Sequence, residues 1–574
     1  MRLGVGEAVR EERELTLRSL ATGVLLGAAL APCNVYSGLK IGWSFNMSII
    51  ALLVALAFWR LLERTAGVPH WTLKESNIGQ TAASSAASII SGGLVAPIPA
   101  YALVSGQQLA TLPMIAWVFA VSFLGVWVAW YLRPALIVDA PLRFPAGVAT
   151  LETMRDVFGH GREALLRIAV LFGAGIVSGL TKLSASMFGS FARWAPSQSL
   201  ERLTFGLEPS LLLIGFGAII GLRVGLSLAL GALLAWGIVA PALLDAGLVD
   251  APVEAGNTLF GPLVEWLLWP GVSLMAASTF TAFAVRWARN GKGAGRRLGI
   301  DRAALRARGP AFGFALAALL AVMLQTMLFD ISLWMALLAI PLAVLLASVA
   351  ARVVGETGIP PIGAIGKLSQ LGFGVAAPGQ IVTNLMTANV AGGAAGQCAD
   401  LLNDFKVGHA IGAVPGRQTI AQCCGVAAGS VAGVLVYVAL IPDPAAMLLS
   451  EAWPAPAVAT WKAVAEALTQ GLGSVPPSAR IAMLAAAALG VVLGLLETRA
   501  QPSRWLPSGV ALGLAFVIPA SISLMMCLGA LIAWAWLRWD ARLANRFALA
   551  AAAGLIAGES IVGVVASFWE MASR

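Results

Sequence analysis

Four stretches set polar side chains inside apolar sequence, where each is costly to bury and therefore informative. The first is Glu75-Ser-Asn77-Ile-Gly-Gln80-Thr81, followed by small residues as far as Gly93. On a helix, Asn77 and Thr81 share a face, as do Thr81 and Ser85. That stripe can hydrogen-bond a peptide-like or carboxylate ligand; the plainer alternative is a tight helix pair held by small residues. Pro97 and Pro99 then break the helix. The second stretch is Gly355 to Gln370, with Pro360, Pro361 and four glycines. It cannot form an uninterrupted helix, and a broken segment frees backbone groups for a ligand or ion. Lys367 could pair with Glu356 or neutralise an anionic substrate; a plain loop after Arg352 is the alternative. The third, Asn389 to Arg417, carries Gln397, Asp400, Asn403, Asp404, Lys406 and His409. Asp400 and Asp404 lie one turn apart, suited to binding a cation, relaying protons or capping a helix end. The lone His409 reads as structural. The fourth is Gly558-Glu559-Ser560, where a carboxylate inside a long apolar helix needs a partner, a proton or a cavity.

The elements that must position these groups are membrane helices. Of 574 residues, 59% are apolar and 11% charged, against about 45–50% and about 25% in soluble chains. This excludes a soluble enzyme, a nucleic-acid binder and a disordered scaffold. At about 20 residues per span, the length accommodates roughly 14–16 crossings. Apolar runs fall near 17–37, 44–63, 77–100, 108–132, 163–190, 208–224, 226–247 and 259–287, then 310–329, 332–352, 378–402, 415–442, 479–497, 505–537 and 544–570. Segment 142–158 is too short and polar to cross and reads as re-entrant, and 456–471 reads as an amphipathic piece at the interface. Lys and Arg concentrate between Arg286 and Arg308, and clusters in the first half follow even numbers of crossings. The positive-inside rule then makes the N-terminus and this linker cytoplasmic.

The expected fold is an all-α polytopic membrane protein of about 16 helices in two related halves, with re-entrant or broken helices. Its divisions are a cytoplasmic tail 1–16, an N-terminal transmembrane half 17–287, a basic linker 288–309 and a C-terminal half 310–574. The halves share weak matches in the same order. Asn77-Ile-Gly-Gln-Thr-Ala-Ala-Ser resembles Asn389-Val-Ala-Gly-Gly-Ala-Ala-Gly, and Phe144-Pro-Ala-Gly resembles Ile518-Pro-Ala-Ser. Such internal duplication is typical of transporters. The five cysteines lack C-x-x-C spacing, the three histidines are far apart, and no phosphate-binding loop is present. No cofactor or resident metal is expected. The Ala-rich, Lys-poor composition suggests a bacterial inner membrane.

At these residues the sequence resembles the oligopeptide transporter family, which includes the yellow-stripe-like metal-chelate carriers. The matching stretches are Glu75-x-Asn77-Ile-x-Gln80-Thr81-x-Ala83-Ser84, Leu136-Ile-Val-Asp139-x-x-Leu-x-Phe-Pro145-x-Gly147, Gly358-Ile-x-Pro361-x-Gly363-Ala-x-Gly366-Lys367-x-x-Gln370-Leu and Ala399-Asp400-Leu-x-x-Asp404-x-Lys406-x-Gly408. Ala421-Gln422 and Gly558-Glu559 also fit. The resemblance implies proton-coupled uptake of small peptides or peptide-like metal chelates. Many bacterial members look like Ala-Gly-Glu-Ser where this chain has Ser85-Ala86-Ala87-Ser88. With no carboxylate at Ala87, coupling falls to Glu75, Asp400 or Glu559. Asn77, Gln80, Thr81, Asn389 and Gln397 are the expected substrate amide partners, with Lys367 for a substrate carboxylate. Partners would be the substrate, protons and lipid, with room for a homo-oligomer. The rival reading is an intramembrane prenyl transferase holding Mg²⁺-diphosphate on Asp400 and Asp404.

Overall fold

The computed structural model describes residues 13–42, 46–139, 142–159, 161–188, 194–249, 258–294, 308–357, 362–471, 475–499 and 506–573. Most of the N-terminal tail, the middle of the basic linker, Pro360 and Pro361 and the Glu356 side chain lie outside the described residues. Among the described residues the secondary structure is helical, with a single isolated bridge between Trp194 and Leu207. Twelve helices among the described residues are long and apolar enough to cross a membrane. Two further expected runs, 44–63 and 378–402, form long helices, Ser48–Ala66 and Ile381–Ala410, whose charged or polar residues keep them outside these twelve. Gly221 (φ 81°) splits the run at 208–224 into Leu211–Ile220 and the start of a longer helix from Leu222. The run at 505–537 divides likewise into Gly509–Leu514 and Ala520–Trp539.

Packing is reciprocal between the two halves. Helix Pro415–Leu440 lies on Leu73–Ala87 as Thr111–Arg133 lies on Ile381–Ala410. Helix Gly161–Phe188 lies on Ala541–Ser573 as Pro477–Glu497 lies on Phe260–Ala294. Two short helices follow suit: Leu211–Ile220 rests on Ala541–Ser573, and Gly509–Leu514 on Phe260–Ala294. The same relation corrects one expected match. Phe144 and Ala455 are both left-handed (φ 48° and 42°), and each precedes a proline that opens a short helix, Pro145–Gly159 or Pro456–Thr469. The Phe144 N–H donates to Gly355 O at 2.8 Å, and the Ala455 N–H to Leu39 O at 2.9 Å. Phe144-Pro therefore pairs with Ala455-Pro, not with Ile518-Pro. Helix Pro456–Thr469 is also not interfacial: it buries Val458, Trp461, Ala463 and Ala465 against helices Pro97–Ser105 and Ile362–Ala376.

At the centre lies helix Ile381–Ala410, in which every residue from Thr383 to Gly408 except Lys406 is buried. It is wrapped by helices from both halves, so its glycines and alanines pack rather than meet lipid. Helix Leu73–Ala87, hereafter the serine helix, starts at a capping box in which Thr72 and Glu75 satisfy each other's backbone N–H groups. Glycines from two neighbours let it be gripped closely. Gly27 of helix Leu17–Ile41 lies against Ala83, and Gly429 of helix Pro415–Leu440 lies against Ala86. A Cβ at Gly429 would sit 2.6 Å from Ala86 Cα. Gly429→Leu is therefore expected to destabilise the protein by about 1–3 kcal/mol through overpacking. The check is its melting temperature in detergent; unchanged melting would mean these helices part freely.

Candidate functional site

The serine helix and the central helix cross where the two halves meet. Under the register that matches Asn77 with Asn389, Ser85 corresponds to Gln397, and these two hydrogen-bond to each other across the crossing (Gln397 Nε2 to Ser85 Oγ, 3.2 Å). The polar residues on either side form one buried seam. Ser84 Oγ donates to Asp400 at 3.2 Å, and Gln80 Nε2 to Asp404 Oδ1 at 3.1 Å. Helix Pro415–Leu440 supplies a third wall. Gln418 Nε2 donates to Asp404 O at 2.9 Å, Ser85 Oγ donates to Gln422 O at 2.8 Å, and the Gln422 side chain faces Asp400.

Hydrogen-bonding capacity in the seam is left over. Among the described residues, Asn77 Nδ2, Gln80 Oε1 and Asp404 Oδ2 are buried without a partner. No ion pair reaches Asp400 or Asp404 among them either. Groups left open in a packed interior call for an explanation by ligand, ion or water. Asp400 and Asp404 face each other's field one turn apart, so a proton or cation is the natural occupant between them.

Beside the seam the serine helix loses its regular form. Ser88–Gly92 is a 3₁₀ turn, Gly93 is left-handed (φ 118°), and a new helix begins at Pro97. The freed carbonyls are held from outside: Asn34 Nδ2 donates to Ala87 O and Asn389 Nδ2 to Gly92 O, each at 3.0 Å. A side chain at Gly93 would collide with Asn389. This is the broken helix the sequence led one to expect, although the break falls nine residues before Pro97, at Ser88.

The expected site residues thus divide. Gln80, Thr81, Gln397 and Asp400 meet in the seam, Asn77 is joined to it through Gln80 (3.5 Å), and Asn389 braces the break. Glu75 does not join them. Its oxygens take the Arg18 guanidinium (2.7 and 2.5 Å), Thr16 Oγ1 and the Thr72 N–H. Arg18 in turn lies 5.0 Å from the Trp59 ring. Glu559 is engaged at a helix start, accepting from Ser210 Oγ and the Leu212 N–H, both at 2.8 Å. Lys367 is buried on helix Ile362–Ala376, level with Gly392 rather than with Asp400. Asp404 is buried in the seam, not a solvated helix end, and His409 is exposed. Sequence reasoning missed Gln418. The signal was available as Gln418 and Gln422, one turn apart in an apolar helix.

The seam joins two related halves around a broken helix, an arrangement shared by many secondary transporters. The OPT oligopeptide transporter protein family matches residues 14–291 and 302–570, nearly the whole chain. The chain belongs to the oligopeptide transporter family. It is a multi-pass membrane transporter and not an enzyme, so the prenyl-transferase alternative has no support. A protein from Oryza sativa subsp. japonica named as a metal-nicotianamine transporter is 26% identical, over 95% of this chain and 87% of its own length. A metal-nicotianamine transporter from Arabidopsis thaliana is 23% identical over 96% and 92%. A Haemophilus influenzae protein named as an oligopeptide transporter is 26% identical over 93% and 92%.

Proposed function

We propose that this transporter carries small peptides or peptide-like metal chelates across a bacterial cytoplasmic membrane, coupled to protons. The observation that carries this reading is the buried seam: two carboxylates without an ion pair among the described residues, and open polar atoms on Asn77, Gln80, Asp404 and Gln422, on the line where the halves cross. Substrate amides would exchange bonds with Asn77, Gln80, Thr81 and Gln397. Asn389 would hold the break in place, and Lys367 offers a charge for a substrate carboxylate. Asp400, with Asp404 beside it, is the proton carrier in this reading. Glu75 and Glu559 are assigned structural work because other groups already hold their oxygens. Among the described residues no three His, Cys, Asp or Glu side chains gather to hold a metal ion. In this reading a metal travels inside its own chelator as cargo. The names of the relatives support both substrate classes. The basic linker supports a cytoplasmic N-terminus and linker.

The experiment is uptake into proteoliposomes with an inward proton gradient, using tri- and tetrapeptides and ferric or nickel chelates. Accumulation that stops when the gradient is collapsed supports the reading; uptake indifferent to the gradient contradicts the coupling. A separate expectation concerns Glu559. Glu559→Gln can accept from the Leu212 N–H through its amide oxygen and donate to Ser210 Oγ through its amide nitrogen, and is expected to retain most uptake. Glu559→Ala leaves the Leu212 N–H open and is expected to lower stability by about 1–2 kcal/mol. Melting curves and uptake of the two variants check this; total loss of uptake in Glu559→Gln would return Glu559 to the coupling machinery.

A further inference from the structure

A second polar group lies away from the seam, where helix Ile362–Ala376 meets the first half of the central helix. Lys367 is 8% exposed, and among the described residues its ammonium has no hydrogen bond or ion pair and feels no neighbouring charge. One turn on, on the same face, Gln370 is fully buried, as is Asn384 opposite it. Both amides have a fixed orientation, because each donates to a backbone carbonyl. Gln370 Nε2 donates to Trp461 O at 3.1 Å, and Asn384 Nδ2 to Gln370 O at 2.6 Å. Their oxygens are thereby turned to the other side, and neither Gln370 Oε1 nor Asn384 Oδ1 finds a donor among the described residues. A buried ammonium without an anion and two buried amide oxygens without donors are each unfavourable. Together they describe the complement of one ligand group: a carboxylate with an N–H beside it.

We propose that Lys367, Gln370 and Asn384 form a second ligand station that receives the C-terminal unit of a peptide-like substrate. Lys367 takes the carboxylate, and Gln370 Oε1 and Asn384 Oδ1 take the adjacent N–H. This deepens the transport reading and rests on it for the ligand being peptide-like. The station also has a position. Helix Ile362–Ala376 runs antiparallel to the central helix, with Ile362 against Gly396 and Gly366 against Gly392. Lys367 is thus level with about Ala391, nine residues before Asp400, or about 13 Å along the helix.

The test uses purified full-length protein and three small probes in thermal-shift or ligand-observed NMR titrations. N-acetylglycine has the carboxylate and the N–H, N-acetylglycinamide lacks the carboxylate, and acetate lacks the N–H. N-acetylglycine is expected to bind at least tenfold more tightly than either. Lys367→Met should erase that preference, Lys367→Arg should keep it, and Asp400→Asn should leave it unchanged. Gln370→Glu, which sets a negative charge beside the carboxylate, gives a second variant should Lys367→Met fold poorly, and should also erase it. Equal binding of all three probes, or a preference that survives both Lys367→Met and Gln370→Glu, overturns the proposal. Tetra-alanine separates the two readings. If it binds in an Asp400-dependent way while the N-acetylglycine preference is absent, the station fails and the transport reading stands. If it does not bind while the Lys367-dependent preference persists, the station stands and the peptide reading fails.

Discussion

Asp400→Asn is expected to remove accumulation driven by a pH gradient, leaving uptake at simple equilibration, while substrate exchange across the same membrane continues. Asp400 is loosely held. Its donor is the neutral Ser84 Oγ at 3.2 and 3.3 Å, and the Gln422 amide on its other side is buried without a hydrogen-bond partner among the described residues. No ion pair fixes its charge among the described residues. A carboxylate so placed can gain and lose a proton as its surroundings change. Asparagine has the same size and accepts from Ser84 through its oxygen, so the fold and the substrate contacts persist. It cannot carry a proton, so the driven cycle stops, whereas exchange needs no net proton movement. Uptake and counterflow in proteoliposomes, measured side by side, check this. Driven accumulation by Asp400→Asn at the wild-type level would remove Asp400 from the coupling step. Ser84→Ala is the milder companion and should weaken uptake without abolishing it.

Arg18→Met carries the largest expected effect on stability, about 3–5 kcal/mol. Glu75 is completely buried, and Arg18 is its cationic partner in a bidentate pair. The same guanidinium donates to Pro69 O at 2.8 Å and His70 O at 2.9 Å and lies against Trp59 and Trp71, whose rings stack at 5.0 Å. Removing it leaves an uncompensated buried carboxylate and two open carbonyls. The double variant Arg18→Met with Glu75→Leu should recover a large part of the loss, since neither charge is then stranded. A double-mutant cycle on unfolding in detergent measures this coupling. A cost below about 1 kcal/mol for the single change would mean the pair behaves as an exposed surface bridge. A second tie, Glu14 to Arg417 at 3.0 Å and to the Val414 N–H at 2.7 Å, fastens the same N-terminal segment to the start of helix Pro415–Leu440.

Much of the architecture was legible because lipid-exposed helices must be apolar for about twenty residues, and the order of small polar motifs carried the duplication. The match of Asn77 with Asn389 proved informative, since it places Ser85 opposite Gln397, where a hydrogen bond is found. What was illegible depends on partners far away in sequence. Glu75, Asp400 and Glu559 look alike as carboxylates in apolar surroundings. Only Arg18, Ser210 and the Leu212 N–H, distant in the chain, separate the two that are tied down from the one that is not. Likewise the amphipathic pattern of 456–471 suits an interface or a crowded interior equally. The burial of Trp461 against Gly366 is a tertiary fact.

The central claim is that the substrate is received at the crossing of the serine helix and the central helix. A benzophenone-bearing tetrapeptide, photolysed in the purified full-length protein and mapped by mass spectrometry, tests it directly. The account predicts competed labelling within residues 77–92, 397–404 and 418–422. Competed labelling confined instead to the Ser210–Glu559 contact, with those segments clean, would contradict it.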